Sequence, residues 1–348
     1  MPDTDIKKET QEYLHAASLN IVVLLDHVRS FEGRDQPTRG FSGPAFKKTI
    51  DGLATAIDKE VTRFMIACKP PALDAEIRAL CPKISAGFFQ LVQHFNSVPK
   101  SAGRTYVEAV RRAISRSLLS IVTLTNSFIE NKVVVDKAVL AELAYTSSSG
   151  IFWEHCKALA QIPADNKAAV AAQWKSVVGD LVKDAVEELK ASLEDTEESK
   201  KSGGSAEENG YSSDESMGEF DPDIPVERLE EGRKILQLVT TAKHTCDKVG
   251  LRCIRDCEAL DSERTIWLDR LLDLGKVVQE AVDELVAVLF IEDDTWRSRA
   301  RVETGKLTKA LLDLITLAIT FVDDAHLAWF ELCRKKLDAA KHESKIAR

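Results

Sequence analysis

The sequence predicts an all-α protein built as two antiparallel bundles of long helices, with about nine helices in total. Apolar side chains recur at steps of three and four residues, as at Phe46, Ile50, Leu53, Ile57 and Val61. Such steps place side chains on one face of a helix, and no stretch of the sequence alternates with the period of two that a half-buried strand shows. Long helices joined by short loops bury these faces by lying alongside one another in four- or five-helix bundles.

Proline and capping residues set the predicted helix boundaries. Pro44 fits the first turn of the second helix, and Pro70 with Pro71 ends that helix because neither residue donates a backbone hydrogen bond. Pro82 predicts a kink in the third helix, and Asp261 is a typical N-cap residue. The predicted helices lie near residues 6–31, 45–69, 72–97, 103–131, 138–161, 164–194, 226–257, 262–291 and 297–340.

The length of 348 residues predicts two domains, an N-terminal bundle over residues 1–134 and a C-terminal bundle over residues 135–348. The second bundle is interrupted at 196–223 by an acidic, Gly- and Ser-rich linker, a composition that predicts disorder. The alternative is that this linker separates two domains. Ser205, Ser212 and Ser216 each stand three residues before an acid. This pattern suits acid-directed serine kinases, so phosphorylation is one hypothesis and an unmodified tether is the other.

The charge distribution argues against a nucleic-acid or membrane partner. The formal net charge is −9, and the segment from Glu194 to Asp223 alone carries eleven acids and two lysines, so the rest of the chain is balanced. The longest apolar run, Leu285 to Ile291, has seven residues. A bilayer span needs about 20 apolar residues.

The first residues lack the pattern of a secretory signal, and the odd number of cysteines, seven, predicts reduced thiols in the cytosol or nucleus.

Two sequence patterns resemble metal sites but do not have the ligand arrangement that a metal site needs. Structural zinc sites usually bring paired ligands together on a turn, but here one predicted helix carries all the candidate ligands, His244, Cys246, Cys253 and Cys257. A di-metal site in a helical bundle needs two E-x-x-H motifs. Glu12 with His15 supplies one, whereas Asp323 with His326 has the spacing but an aspartate in place of the glutamate. No phosphate-loop, dinucleotide, zinc-protease or serine-hydrolase motif occurs. We therefore predict no catalytic residue, metal ligand, cofactor or small-molecule substrate.

The stretch WEHCKALAQIPADNKAA, residues 153–169, raises the question of a cysteine–histidine active site. His155 and Cys156 are sequence neighbours, so on a helix their side chains point about 100° apart and cannot form a catalytic pair. Trp153 and Cys156 share one face, which indicates packing. Pro163 begins another helix, and Asp165 in its first turn complements the helix dipole. The stretch is therefore interpreted as a corner between two helices.

The same corner resembles the signature segment of the GCIP family, the cyclin-D-interacting proteins. The resemblance is carried by Trp153, Cys156, Ile162, Pro163, Asp165, Asn166 and Lys167. It continues through residues 182–188, where Val-Lys-Asp-Ala and Glu-Glu echo the next helix of the family. Helix physics does not demand Asn-Lys after the aspartate, so this pair is informative about ancestry.

The resemblance implies two antiparallel bundles in the style of vinculin and talin modules. It also implies protein partners, namely D-type cyclins, adaptor proteins and helix-loop-helix transcription factors, and a location in the cytoplasm and nucleus. No dense basic region precedes a helix, so direct DNA binding is not expected. The predicted function is a non-catalytic interaction regulator of the cell cycle or transcription. The alternative is a cytoskeletal or adhesion scaffold without a cell-cycle role.

Overall fold

The all-α class is confirmed by a computed structural model that describes residues 6–35, 40–130, 132–133, 148–202, 224–258, 261–291 and 295–346. Within these ranges the elements are helices, and the only strand-like pairing is an isolated bridge between Arg34 and Pro99. The chain divides into two compact units, Met1–Ala169 and Val170–Arg348. Each unit has its own apolar core.

The first unit packs five helices around one core. They are α1 (Lys8–Ser30), α2 (Gly43–Ala67), α3 (Asp74–Phe95), α4 (Arg104–Asn126) and α5 (Ser148–Ala160). The main pairings are α2 with α3, α1 with α4, α4 with α5, α1 with α3, and α2 with α5. The predicted stripe of α2 faces inward, with Ile50 and Val61 fully buried. Its opposite face is therefore left on the surface.

The second unit begins inside a nearly continuous helix, whose first residues, 166–169, belong to the first unit. Four further helices complete the second unit. The order is α6 (Asn166–Gln173), a π-helical turn (Trp174–Gly179), α7 (Asp180–Ser202), α8 (Leu229–Val249), a second π-helical turn (Gly250–Arg255), α9 (Ser262–Ala287), α10 (Trp296–Ile319) and α11 (Asp324–Ile346). The main pairings are α7 with α8, α9 with α10, and α10 with α11.

The division between the units falls later than the predicted boundary after residue 134. Helix α5 packs against α4 and α2, so it belongs to the first unit, and the chain enters the second core at Val170. Residues 134–147, which include the beginning of the helix predicted at 138–161, lie outside the described residues.

Two predicted elements differ from the structure. The helix predicted at 297–340 is two helices, because the chain turns at residues 320–323. There the Thr320 hydroxyl donates to the Leu317 carbonyl, and Asp324 lies in the first turn of a new helix, where a carboxylate is stabilised by the helix dipole.

The predicted disordered linker is helical over its first seven residues, 196–202. Thr196 is buried, and its hydroxyl lies 2.8 Å from the Ser192 carbonyl oxygen of its own helix and 3.2 Å from the carbonyl oxygen of Ile224. Glu197 forms an ion pair with Arg233 of α8 at 2.6 Å. Tertiary contacts therefore stabilise a helix whose composition alone predicts disorder. Residues 203–223, with Ser205, Ser212 and Ser216, lie outside the described residues.

Trp174 is the central side chain of the second core. Its ring is 4% exposed and lies against two glycines, Gly250 on the second π-helical turn and Gly275 on α9. The indole Nε1 donates to the Cys246 carbonyl at 3.2 Å. A Cβ at Gly275 would stand 2.5 Å from the ring carbon Cζ3, so only glycine admits the ring at this distance.

We expect Gly275→Ala to destabilise the second unit by about 1–3 kcal/mol, because the added methyl group overpacks the Trp174 ring. The matched control is Gly305→Ala on α10, where an added Cβ meets no atom within 4 Å. That change should be neutral or stabilise by about 0.5–1 kcal/mol. Urea unfolding followed by tryptophan fluorescence checks both, since four of the five tryptophans lie in this unit. Equal midpoints for the two variants would contradict the packing argument.

Candidate binding groove and its supporting corner

The predicted signature residues fall into two groups with different surroundings. Trp153 and Cys156 lie on α5. The other five, Ile162, Pro163, Asp165, Asn166 and Lys167, form the turn from α5 into α6 and the first residues of α6. The predicted corner between two helices is therefore present.

Asn166 provides the central contact of the corner. Its side chain is 2% exposed, and its Oδ1 accepts a hydrogen bond from the backbone N–H of Tyr106 at 2.9 Å. Tyr106 is in the first turn of α4, where backbone donors have no partner within the helix. The residue at the N-cap position, Gly103, has no side chain to supply one and has a φ of +104°. Asn166 thus caps α4 from 60 residues further along the chain.

Close backbone approach holds the same corner against α2. The Lys47 ammonium donates to the Ile162 carbonyl at 2.7 Å. A Cβ at Gly43 would overlap the carbonyl oxygen of Ala164, and a Cβ at Gly103 would overlap the Asn166 side chain. Glycine is therefore required at both helix starts for the corner to fit.

The remaining signature residues start α6 and fill the core. Asp165 accepts from the Ala168 N–H at 2.8 Å, the geometry of an N-cap. Ile162 is buried in the first core, whereas Pro163 and Lys167 are half-buried. The corner is a structural joint between α2, α4 and α5. This explains why an Asn follows the aspartate, which the helix pattern alone does not.

We expect Asn166→Ala to destabilise the first unit by about 1–3 kcal/mol, because it leaves the buried Tyr106 N–H without an acceptor. Hydrogen exchange of the Tyr106 amide should accelerate more than exchange in the middle of α4. Gln161→Ala, at an exposed neighbouring position, is the control and should change stability by no more than about 0.5 kcal/mol. Unchanged protection of the Tyr106 amide would show that Asn166 is not the cap.

A groove lies beside the corner, between α2 and α5. It has a volume of about 290 Å³ and is lined by Asp51, Ala54, Thr55, Asp58, Trp153, Cys156, Lys157 and Ala160. Asp51, Thr55 and Asp58 come from the side of α2 that flanks its buried stripe, whereas Ala54 belongs to the buried stripe itself. Trp153 is 41% exposed, and its Nε1 donates to the Thr62 hydroxyl at 3.4 Å. An aromatic ring is thus held in position at the surface.

The Cys156 thiol at the floor of the groove is not activated. It is 5% exposed, and burial, with a smaller contribution from the nearby Asp58 carboxylate, raises its pKa to about 12. A nucleophilic cysteine needs the opposite shift, toward a thiolate at neutral pH. The backbone carbonyl of the adjacent His155 accepts from the Ser117 hydroxyl on α4. These surroundings agree with packing rather than catalysis.

The groove carries charges that are not neutralised by ion pairs. Among the described residues, neither Asp51 nor Asp58 forms a salt bridge. Lys157 lies on the opposite wall and likewise has no ion-pair partner in that part of the chain. The two carboxylates are seven residues apart, two turns along the same face of α2. In the sequence they are recognisable only by their position beside the apolar stripe of α2, which motif searches do not use.

The other candidate chemical sites have no supporting geometry. In the described ranges, no three His, Cys, Asp or Glu side chains are placed to hold a metal ion. Cys246 and Cys253 are each 1% exposed in the second core, and burial raises the pKa of both thiols to about 12. None of the helices described is both long enough and apolar enough to cross a bilayer.

Comparison with known proteins finds similarity to one family. Residues 49–195 match the family model described as Grap2 and cyclin-D-interacting, N-terminal. A relative from Xenopus laevis, Cyclin-D1-binding protein 1 homolog, is 24% identical, covering 92% of this chain and 96% of its own. The Danio rerio homolog is 27% identical over 88% of this chain and 87% of its own. Homo sapiens Cyclin-D1-binding protein 1 is 23% identical over 94% and 91%.

The matched range contains both the groove and the corner. The groove residues run from Asp51 to Ala160, and the signature from Trp153 to Lys167. All of these positions fall within residues 49–195. The similarity to the relatives continues beyond that range through most of the chain.

Proposed function

We propose that this chain, whose similarity to known proteins supports membership of the GCIP family, is a non-catalytic regulator that binds a D-type cyclin through the groove between α2 and α5. The relatives are named for binding cyclin D1. On that similarity we propose that this chain also binds a D-type cyclin and acts in the cell cycle or transcription. Helix-loop-helix factors are further candidate partners, and location in the cytoplasm and nucleus stays a prediction.

The observation that carries the proposal is the exposed Trp153 beside the groove. Tryptophan is enriched among the residues that dominate binding energy at interfaces. Here the ring has 41% of its surface exposed, although the neighbouring helix faces are packed, and a hydrogen bond to Thr62 fixes its orientation. A fixed, exposed aromatic ring costs little entropy when a partner covers it. The groove beside it supplies concave surface for a partner side chain.

We expect Trp153→Ala to weaken binding of a purified D-type cyclin by about 30-fold or more, the effect of losing a hot-spot side chain worth about 2 kcal/mol. Phe89→Ala is the matched control, because Phe89 is an exposed aromatic residue, 52% exposed, on α3 of the same unit and outside the groove. Isothermal titration calorimetry measures both affinities, and circular dichroism verifies that each variant is folded.

Two results would overturn the proposal. If the wild-type protein does not bind a D-type cyclin, the proposed cyclin function is wrong. If Trp153→Ala and Phe89→Ala lose equal affinity for the cyclin, the groove is not the binding site. Affinity purification with mass spectrometry from the native host then tests the scaffold alternative. That alternative predicts recovery of actin-linked proteins in amounts that do not depend on the Trp153 substitution.

A further inference from the structure

We propose that the groove between α2 and α5 receives an arginine side chain of the protein partner, held between a carboxylate of α2 and the ring of Trp153. The inference rests on the proposed function, because it names the chemistry that the partner presents to the same groove. It depends on the size of the groove, its charge and the position of the tryptophan.

The size of the groove suits a single long side chain. Its volume is about 290 Å³. Pockets that hold drug-sized molecules span about 300–1,000 Å³. This groove lies at the lower limit of that range, and its lining includes two carboxylates and an ammonium group. Ala54, Thr55 and Ala160 have small side chains, so they leave the groove open to the surface. A partner side chain can therefore enter from the surface without a rearrangement of the core.

The charge of the lining favours a cation. Asp51 and Asp58 are on the α2 wall and lack ion-pair partners among the described residues. Thr55 lies between them, and its hydroxyl donates to the Asp51 backbone carbonyl at 2.9 Å, so that hydroxyl proton is not directed to either carboxylate. Asp58 is half-buried, where electrostatic attraction is screened less than at an exposed site.

Arginine satisfies this arrangement better than lysine. The planar guanidinium group presents several donors to carboxylates and stacks on aromatic faces, whereas an ammonium group is a compact and strongly hydrated charge. Trp153 lies at the rim of the same groove with its ring exposed. Tryptophan is also the aromatic side chain that attracts a cation best. A guanidinium group can therefore contact the ring and a carboxylate at once.

Lys157 on the α5 wall opposes a basic ligand, and it provides an internal control. With two acids and one base the lining has a net charge of −1. Removing the ammonium group should strengthen the attraction for a guanidinium group, whereas removing the carboxylates should abolish it. A groove that binds apolar surface alone would respond to neither change in this way.

The test uses the full chain labelled with 5-fluorotryptophan, in which the Trp153 fluorine resonance is assigned by its loss in Trp153→Phe. N-acetyl-argininamide is titrated as the probe, and N-acetyl-citrullinamide, its neutral isostere, is the matched control. We expect a saturable shift of the Trp153 resonance with the arginine probe and at least tenfold weaker binding of the citrulline probe. Added salt should weaken the arginine interaction.

The double variant Asp51→Asn, Asp58→Asn should lose the arginine response at least tenfold, and Lys157→Gln should tighten it by about two- to fivefold, the range for one nearby charge at a surface. Asp58→Asn alone provides the test if the double variant does not fold, because Asp58 lies one turn before Thr62, the hydrogen-bond partner of Trp153. Equal binding of the two probes, or an unchanged response in the asparagine variants, would overturn the inference.

The two proposals fail in different ways. If a D-type cyclin does not bind but the arginine probe does, the cyclin function is wrong and the chemistry of the groove stands. If the cyclin binds in a manner that depends on Trp153 while the two probes bind equally, the docking site stands and the arginine anchor is wrong.

Discussion

The hydrogen bond from the Tyr106 N–H to the Asn166 side chain is the contact on which the first unit depends. Gly103 begins α4 in a backbone conformation that favours glycine, so the helix start has no cap of its own. Asn166 supplies it from the opposite side of the corner. An aspartate could accept the same hydrogen bond, but it would place a charge at a position that is 2% exposed, which is costly without a paired cation. A buried amide supplies the acceptor without that cost.

This joint also determines where the groove lies. Helix α5 is held at its end by the corner, and Lys47 of α2 binds the carbonyl of Ile162 in that corner. The spacing between α2 and α5 is thereby fixed beside the same helices that line the groove. Most of the signature therefore supports the proposed binding surface rather than forming it. Trp153 and Cys156 are the two signature residues that line the groove directly.

Helical periodicity made most of the fold predictable, because burial of a continuous apolar stripe depends on spacing alone. The stripe through Ile50 and Ile57 of α2 is buried as predicted. The misses involve contacts between residues distant in sequence. Thr196 is helical because α8 and the Ile224 carbonyl lie beside it, which an acidic composition does not reveal. Similarly, the sequence pattern marks Asn166 as part of the family signature, but its function as a cap depends on Tyr106, 60 residues earlier, and on the neighbouring Gly103.

Because the groove lies at the surface, substitutions in its lining can alter the proposed binding without lowering the stability of the fold. On α2 the inward face carries Ile50, Ile57 and Val61, whereas Asp51 is exposed and Asp58 half-buried. Changing a carboxylate therefore alters the charge of the groove without creating a cavity in the core, and surface substitutions of this kind usually change stability by no more than about 0.5 kcal/mol. Ala54 is the exception, since it lines the groove and is 4% exposed in the core. Enlarging Ala54 would disturb packing and binding together, so the charged residues and Trp153 are the positions at which binding can be changed alone.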